Sequence, residues 1–289
     1  MEISTAHAVR PTDAVETTAV PGLSNSQIER LGLRLAREPT PTEEDLALLH
    51  RLLADRAAVL AETVDLVRAE LSVTPTARVK NTGTIVEKLR RSGGSRLKNM
   101  QDLAGMRIVG AFDRDGQDEL VAQLVDLFRG APRTPRVVDR RAEPVSGYRA
   151  VHVIVFPHGT PVEVQVRTRW QHEWAEVFEK LADRIGRGIR YGEPPTRWRT
   201  QEQLDAEDPM LRRLFDVSYN MRDLMVGQAR AVADFLSAVE EAELTASKDE
   251  PTLVSFRSRA DAALAAWRST IQEFLDETVP LMDTEVDPG

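Results

Sequence analysis

The chain has 289 residues, of which 42% are hydrophobic and 29% charged, enough apolar material for a real core and incompatible with wholesale disorder. It contains no cysteine, which excludes disulfide frameworks, thiolate zinc sites, iron–sulfur clusters and thiol catalysis, so its chemistry must use oxygen and nitrogen groups. The formal charge is −8, but residues 200–289 hold 19 acidic against 8 basic side chains; taking that −11 from the total leaves the first 199 residues at +3.

Residues 1–21 are rich in Thr, Ala, Val and Pro without a period and read as a flexible lead-in. They lack the basic and apolar blocks of a signal peptide, and no stretch of the chain approaches the ~18 apolar residues of a membrane span, so the expected address is the cytoplasm, away from the membrane. Thr40-Pro41-Thr42-Glu43 combines a capping box with proline at the first helical position and predicts a helix start. Leu46, Leu49, Leu53, Ala57, Leu60, Val64, Val67 and Leu71 continue it as a helical stripe. After Pro75 come a short extended piece at residues 78–80, a helix over 84–91 and the glycine-broken loop Ser92-Gly93-Gly94-Ser95. The apolar run at residues 106–112 predicts a strand, followed by an amphipathic helix around Leu120, Leu124 and Phe128. Strands are expected at 136–139, 149–156 and 162–167, the last two joined as a hairpin through Pro157-His158-Gly159-Thr160. Helix resumes at Thr168 and runs to about Ile185; beyond the turn-rich residues 186–195 the pattern is helical almost to the end, with a break at 248–251. Hairpin and strand–helix–strand connections together imply an α+β class: a mixed β-sheet flanked by helices, with a C-terminal helical extension. The expected organisation is a flexible segment at 1–23, a domain with its N-terminal helices at 24–199, and an acidic helical extension at 200–289.

Arg78, Lys80, Lys88, Arg90, Arg91, Arg96, Lys98 and Arg107 face only Glu87 and Asp102 in sequence, a clustered positive field that attracts phosphates. On charge alone a solvated basic face fits as well. In residues 162–167 the period of two puts three valines on one face and Glu163, Gln165 and Arg167 on the other. His152 lies between valines in the preceding strand, and Gly147-Tyr148 sits at its mouth, where an aromatic ring beside a flexible glycine can present a flat face to a base. A wet strand face and a structural histidine are the plainer alternatives. Asp102 beside the basic cluster and Glu163 on its strand form a pair suited to Mg²⁺, which takes one or two carboxylates plus substrate phosphates. With Arg78, Lys80, Lys88 and Arg107 on the polyphosphate, this outlines a phosphoryl-transfer site. The sequence holds no Gly-x-x-x-x-Gly-Lys-Ser/Thr loop and no Gly-x-Ser-x-Gly elbow. His172-Glu173-Trp174-Ala175-Glu176 lacks the second histidine of a zinc helix, and no histidine precedes an aspartate, which removes the His-Asp phosphohydrolase signature.

Five ordered blocks resemble the RelA/SpoT alarmone synthetase domain: Arg78-x-Lys80 with Thr84 and Lys88; Asp102-x-x-Gly105-x-Arg107; Gly147-Tyr148-Arg149-Ala150-Val151-His152; Glu163-x-Gln165-x-Arg167-Thr168; and His172-x-Trp174-Ala175-Glu176. The resemblance covers roughly residues 46–191. It implies a nucleotidyltransferase-like sheet that moves pyrophosphate from ATP to the 3′-hydroxyl of an acceptor nucleotide and releases AMP. It implies ATP binding by Arg78, Lys80, Thr84, Lys88 and Arg107, with Thr84 keeping the hydroxyl where the family usually has serine. Asp102 and Glu163 then serve catalysis and hold Mg²⁺, Glu163 being the candidate for activating the attacking hydroxyl. Tyr148 is expected to stack on the acceptor base with His152 beside it, and Gln165 and Arg167 complete the acceptor side. Stacking alone makes Tyr148→Phe nearly silent. Housekeeping synthetases usually carry a lysine and an asparagine where this chain has Pro144-Val145-Ser146-Gly147, and residues 178–192 look more like the small members that include toxin-type synthetases. The expected substrates are ATP with GDP or GTP, giving (p)ppGpp. The alternatives are pyrophosphorylation of the tRNA 3′ end and an inactive nucleotide-binding or interaction module. A second copy of the chain, or an antitoxin-like inhibitory protein, is the expected kind of protein partner. The acidic extension reads either as helices packed on the domain, as a self-association surface, or as an inhibitory element competing with phosphates for the basic cluster.

Overall fold

The computed structural model describes residues 22–91, 97–193, 209–246 and 251–278, the side chains of 209–219 excepted. The lead-in at 1–21, the Ser92-Gly93-Gly94-Ser95 loop, Arg96 and residues 248–250 of the expected helix break lie outside the described residues.

Helix α1 (Asn25–Arg37) opens on a capping box between Ser24 and Gln27 and buries Ile28, Leu31 and Leu35. The sequence reading gives this helix no bounds, although the box and the i, i+3, i+7 spacing mark one. In α2 (Glu43–Leu71) the N-cap is Thr42, two residues later than expected, its hydroxyl accepting from Asp45 N at 3.2 Å. Capping there puts Glu43, Glu44 and Asp45 in the first turn, where the helix dipole favours negative charge, and lets Asp45 pair with Arg34 of α1 at 2.6 Å.

Five strands form one mixed sheet in the order β1-β2-β5-β4-β3: β1 (Thr76–Val79), β2 (Ala104–Gly110), β3 (Arg136–Asp139), β4 (Val151–Val155) and β5 (Val162–Thr168). Only β2 and β5 run parallel; the other neighbours are antiparallel. The β4–β5 hairpin turns at Pro157–Gly159 as its sequence predicts. Strand β2 begins two residues ahead of the apolar run because Gly105 lets it close on β5: a Cβ there would meet the Glu163 carbonyl oxygen at 2.9 Å.

Val162, Val164 and Val166 of β5 and Val151, Val153 and Val155 of β4 share one face, covered by Leu60, Val64 and Val67 of α2 and by Leu120, Val121 and Leu124 of α4 (Arg114–Leu127). That apolar layer leaves the opposite face free for polar side chains. Helix α3 (Thr82–Arg91), capped by Asn81 through Thr84 N at 2.8 Å, buries Ile85, Val86 and Leu89 with α1 and the start of α2. Helix α5 (Arg169–Ile185) starts from a Thr168–Gln171 capping box and packs on α6 (Pro209–Thr245) and α7 (Pro251–Glu273). Trp174 anchors that layer, stacked on Phe178 at 4.7 Å and on Trp267 at 6.0 Å between ring centroids, with its indole N–H donating to the Ala229 carbonyl at 2.8 Å. Among the described residues, no helix is long and apolar enough to cross a membrane.

Candidate active site

Strand register collects the sequence-predicted residues on the open face in two rows. Arg136, Ile154, Glu163, Gly105 and Arg78 line up across the five strands, and Val138, His152, Gln165, Arg107 and Thr76 form the adjacent row. Just past the β1–β2 ladder, Lys80 N donates to the Leu103 carbonyl at 2.9 Å, which sets the Lys80 side chain against Asp102. Thr84 and Lys88, one turn apart on α3, share a face opposite its buried stripe. Lys88 Nζ reaches both Asp102 oxygens at 2.9 and 3.0 Å, and Lys80 Nζ bonds the same carboxylate. The two lysines that the sequence directs to ATP therefore rest on the expected metal ligand. Burial pushes the Asp102 carboxyl up, but Lys80 and then Lys88 outweigh it and hold the group below its ordinary value.

Glu163 belongs to a closed ring of five side chains. A carboxylate only accepts, so His152 carries its proton on Nδ1, 3.0 Å from Glu163 Oε1, and Nε2 accepts from the Tyr148 hydroxyl at 2.9 Å. Arg167 Nη2 donates to Tyr148 Oη at 2.9 Å and to Gln165 Oε1 at 2.8 Å, and Gln165 Nε2 returns to Glu163 Oε2 at 2.9 Å. Burial raises the Glu163 carboxyl, yet the His152 and Gln165 bonds leave it below its ordinary value, against a push upward from nearby Asp102. Burial raises the Tyr148 phenol, opposed by Arg167. Arg167 is only 2% exposed, and its Nε and Nη1, like Arg107 Nε, find no hydrogen-bond partner among the described residues.

The expected single basic field is divided. Arg90 caps the carbonyls of Glu38 and Pro39, Lys98 pairs with Glu29, and Arg91 lies over the Tyr191 ring. Glu87 pairs with Arg187 and so does not neutralise the site. Arg107 pairs with Glu176 of α5 at 2.8 Å, while Arg78 is exposed on β1. Burial and then Arg107 hold His172 below its ordinary value, with Glu176 opposing them 3.9 Å away. Among the described residues, the acidic extension does not compete for these cations: Glu241 pairs with Arg114, Asp234 with Arg149 and Asp261 with Arg169. The Tyr148 ring is half-buried against the α5–α6 layer, edge-on to His152, with the Arg167 guanidinium 5.1 Å from its centroid. Sequence reasoning missed Glu176 as the partner of Arg107. Its signal was available in the His172–Glu176 spacing, which puts both on one face of α5.

The family profile described as "Region found in RelA / SpoT proteins" matches residues 77–182. The uncharacterized protein Rv1366 of Mycobacterium tuberculosis is 38% identical over 186 residues, 63% of this chain and 67% of its own length. The chain belongs to the RelA/SpoT family. The bifunctional (p)ppGpp synthase/hydrolase RelA of M. tuberculosis is a more distant member, 34% identical over 46% of this chain and 20% of its own. Among solved structures, small alarmone synthetase 1 of Bacillus subtilis bound to its product pppGpp aligns over 65% of this chain and 99% of its own, at 24% identity and a TM-score of 0.40. The RelA/SpoT span runs from β1 into α5, so it contains the Asp102–Lys80–Lys88 cluster and the whole Glu163 ring, whereas α6 and α7 lie beyond it.

Proposed function

We propose that the chain transfers pyrophosphate from ATP to the 3′-hydroxyl of GDP or GTP, forming (p)ppGpp and releasing AMP. The observation that carries the proposal is the cluster in which Lys80 and Lys88 close on the Asp102 carboxylate, next to the sheet row that holds Glu163, Gly105 and Arg78, with Arg107 in the adjoining row. The hard oxygen donors suit Mg²⁺, which takes one or two carboxylates and fills its shell from phosphates; among the described residues no group of three or more His, Cys, Asp or Glu is placed to hold a metal. Asp102 pushes the Glu163 carboxyl up, the least of the influences on it, so the two carboxylates lie within electrostatic reach of each other. When bound there, Mg²⁺ would neutralise charge on the polyphosphate. Lys80 and Lys88, relieved of Asp102, would turn to the same phosphates, with Arg78 free to join them. The acceptor 3′-oxygen attacks the β-phosphorus of ATP, the bond from that phosphorus to the α–β bridging oxygen breaks, and AMP leaves with that oxygen. Glu163, kept ionised by His152 and Gln165, takes the hydroxyl proton. The unpartnered donors of Arg167 favour an anionic substrate on the acceptor side, and that of Arg107 favours one on the ATP side.

Incubating the purified protein with Mg²⁺, γ-labelled ATP and GDP, GTP or deacylated tRNA tests the proposal. Label is expected on the guanine nucleotides, and Glu163→Gln or Asp102→Asn should lower transfer by about 100-fold or more. Wild-type rates from either variant would sink the two-carboxylate assignment. One observation favours the tRNA 3′ end as a second acceptor class: Ser146, just before Gly147-Tyr148, is buried with its hydroxyl donating to the Ile189 carbonyl at 2.6 Å. That group is spent on the protein, and base stacking without directed bonds tolerates any base. Label on tRNA with negligible turnover of GDP and GTP would replace the first acceptor by the second. Label on none would leave a nucleotide-binding or interaction module.

A further inference from the structure

The turn at residues 146–149 opens on two left-handed residues, of which Ser146 carries a steric cost and Gly147 does not. Ser146 takes φ +55° and Gly147 φ +92°, both in the left-handed region, so the turn that presents Tyr148 holds its shape only if its neighbours hold it. Those neighbours come largely from outside the span that the RelA/SpoT profile matches. A Cβ on Gly147 would lie 3.0 Å from both Ala233 Cβ of α6 and Trp174 Cζ2 of α5. Arg149, whose side chain is 11% exposed, donates from Nη1 to the Gly147 carbonyl at 3.1 Å and from Nη2 to Asp234 of α6 at 2.8 Å. The guanidinium thus staples the turn to the helix, one Nη on the Gly147 carbonyl and the other on the Asp234 carboxylate.

The same helix grips the other end of the ring. Thr168, directly after Arg167, and Gln171, four residues after it, both bond Glu240 of α6, Gln171 at 3.1 Å. Asp234 and Glu240 lie six residues apart, about 9 Å along one helix at 1.5 Å per residue. Tyr148 and Arg167, the pair whose hydroxyl–guanidinium bond closes the ring, are therefore each one short step from the same rigid element.

We infer that α6 sets the Tyr148–Arg167 contact, with Asp234 as the positioning residue for the acceptor turn through Arg149. The inference deepens the acceptor assignment proposed above and, as far as it concerns substrate, rests on that reading. Asp234 touches no residue of the ring, so its effect must travel through Arg149 and the Gly147 carbonyl. It should appear as poorer acceptor binding with ATP binding unchanged.

The test pairs a structural readout with a kinetic one on the full chain. In Asp234→Asn, amide hydrogen exchange over residues 146–152 should rise by about tenfold, while exchange over 80–90, at the Lys80–Lys88 side, stays at the wild-type rate. KM for the acceptor should rise several-fold with KM for ATP unchanged, and the conservative Asp234→Glu, which keeps a carboxylate for Arg149 and leaves Arg149 on the Gly147 carbonyl, should hold both readouts nearer the wild-type values. Wild-type exchange at 146–152 in Asp234→Asn overturns the positioning role, whether or not the enzyme turns over. Raised exchange with an unchanged acceptor KM overturns the link to substrate. Wild-type protein inactive with every acceptor would sink the proposed function instead, leaving the exchange result to decide the role of Asp234.

Discussion

Tyr148 Oη stands between two groups that both need it, accepting from Arg167 Nη2 and donating to His152 Nε2, each at 2.9 Å. Its hydroxyl is therefore part of the site, and the expectation that Tyr148→Phe is nearly silent has to be revised. Phenylalanine keeps the flat ring but leaves a buried guanidinium with one acceptor fewer and removes the donor that His152 Nε2 accepts from. The cost of leaving such groups unmade is about 1–3 kcal/mol. Tyr148→Phe should lower the urea midpoint accordingly and raise the acceptor KM; a midpoint and KM equal to wild type would show that the ring contributes nothing. The alternation of Glu163, Gln165 and Arg167 was legible because a period of two needs no partner strand to be read. The ring was not, since it depends on the register of β4 against β5 and on a tyrosine three residues before β4 folding back over it.

At the scale of elements, Glu240 joins α6 to three others: it accepts from Thr168 and Gln171, Gln171 pairs with Gln117 of α4 at 2.9 Å, and Gln117 donates to the Val166 carbonyl of β5 at 2.8 Å. Burial raises the Glu240 carboxyl, and the Thr168 and Gln171 bonds with the charge of Arg114 do not cancel it. A carboxyl raised on folding favours the protonated state. Its stabilising contribution is full below the unfolded value near 4.5 and is lost as pH rises through the folded value. Glu240→Gln, neutral at all pH, should therefore gain on wild type as pH rises from the unfolded value near 4.5 through the folded one when thermal midpoints are compared. A difference that stays flat over that interval would mean that Glu240 is not titrating in the fold. From sequence this residue was one acid among 19 in the extension, because nothing local separates a buried glutamate from a solvated one. The cap of α2 was misread by two residues for a related reason: Thr40 and Thr42 both look like caps, and the Arg34–Asp45 pair across α1 and α2 accompanies the later one.

At the scale of the molecule, the change of charge near residue 200 looked like a domain boundary, yet the apolar layer runs straight through it. Trp170 and Trp174 of α5 share one cluster with Ala229, Ala233 and Leu236 of α6 and with Leu264, Trp267 and Ile271 of α7, all buried. Acidic residues of the extension add pairs with Arg114, Arg149 and Arg169, so the charge segregation works as complementarity between the extension and the domain. Composition marks what a surface carries; a cooperative boundary requires a core that stops, and here α5 is both the C-terminal helix of the sheet domain and the centre of the helical layer. Trp170, Trp174 and Trp267 are three of the four tryptophans, so indole fluorescence reports that shared layer while far-ultraviolet circular dichroism reports the helices everywhere. If the layer ties the two parts into one folding unit, the two signals should follow a single urea transition with the same midpoint and slope. Loss of the tryptophan signal at distinctly lower urea, with most of the helical signal remaining, would show that α6 and α7 come away from a sheet domain that stands without them.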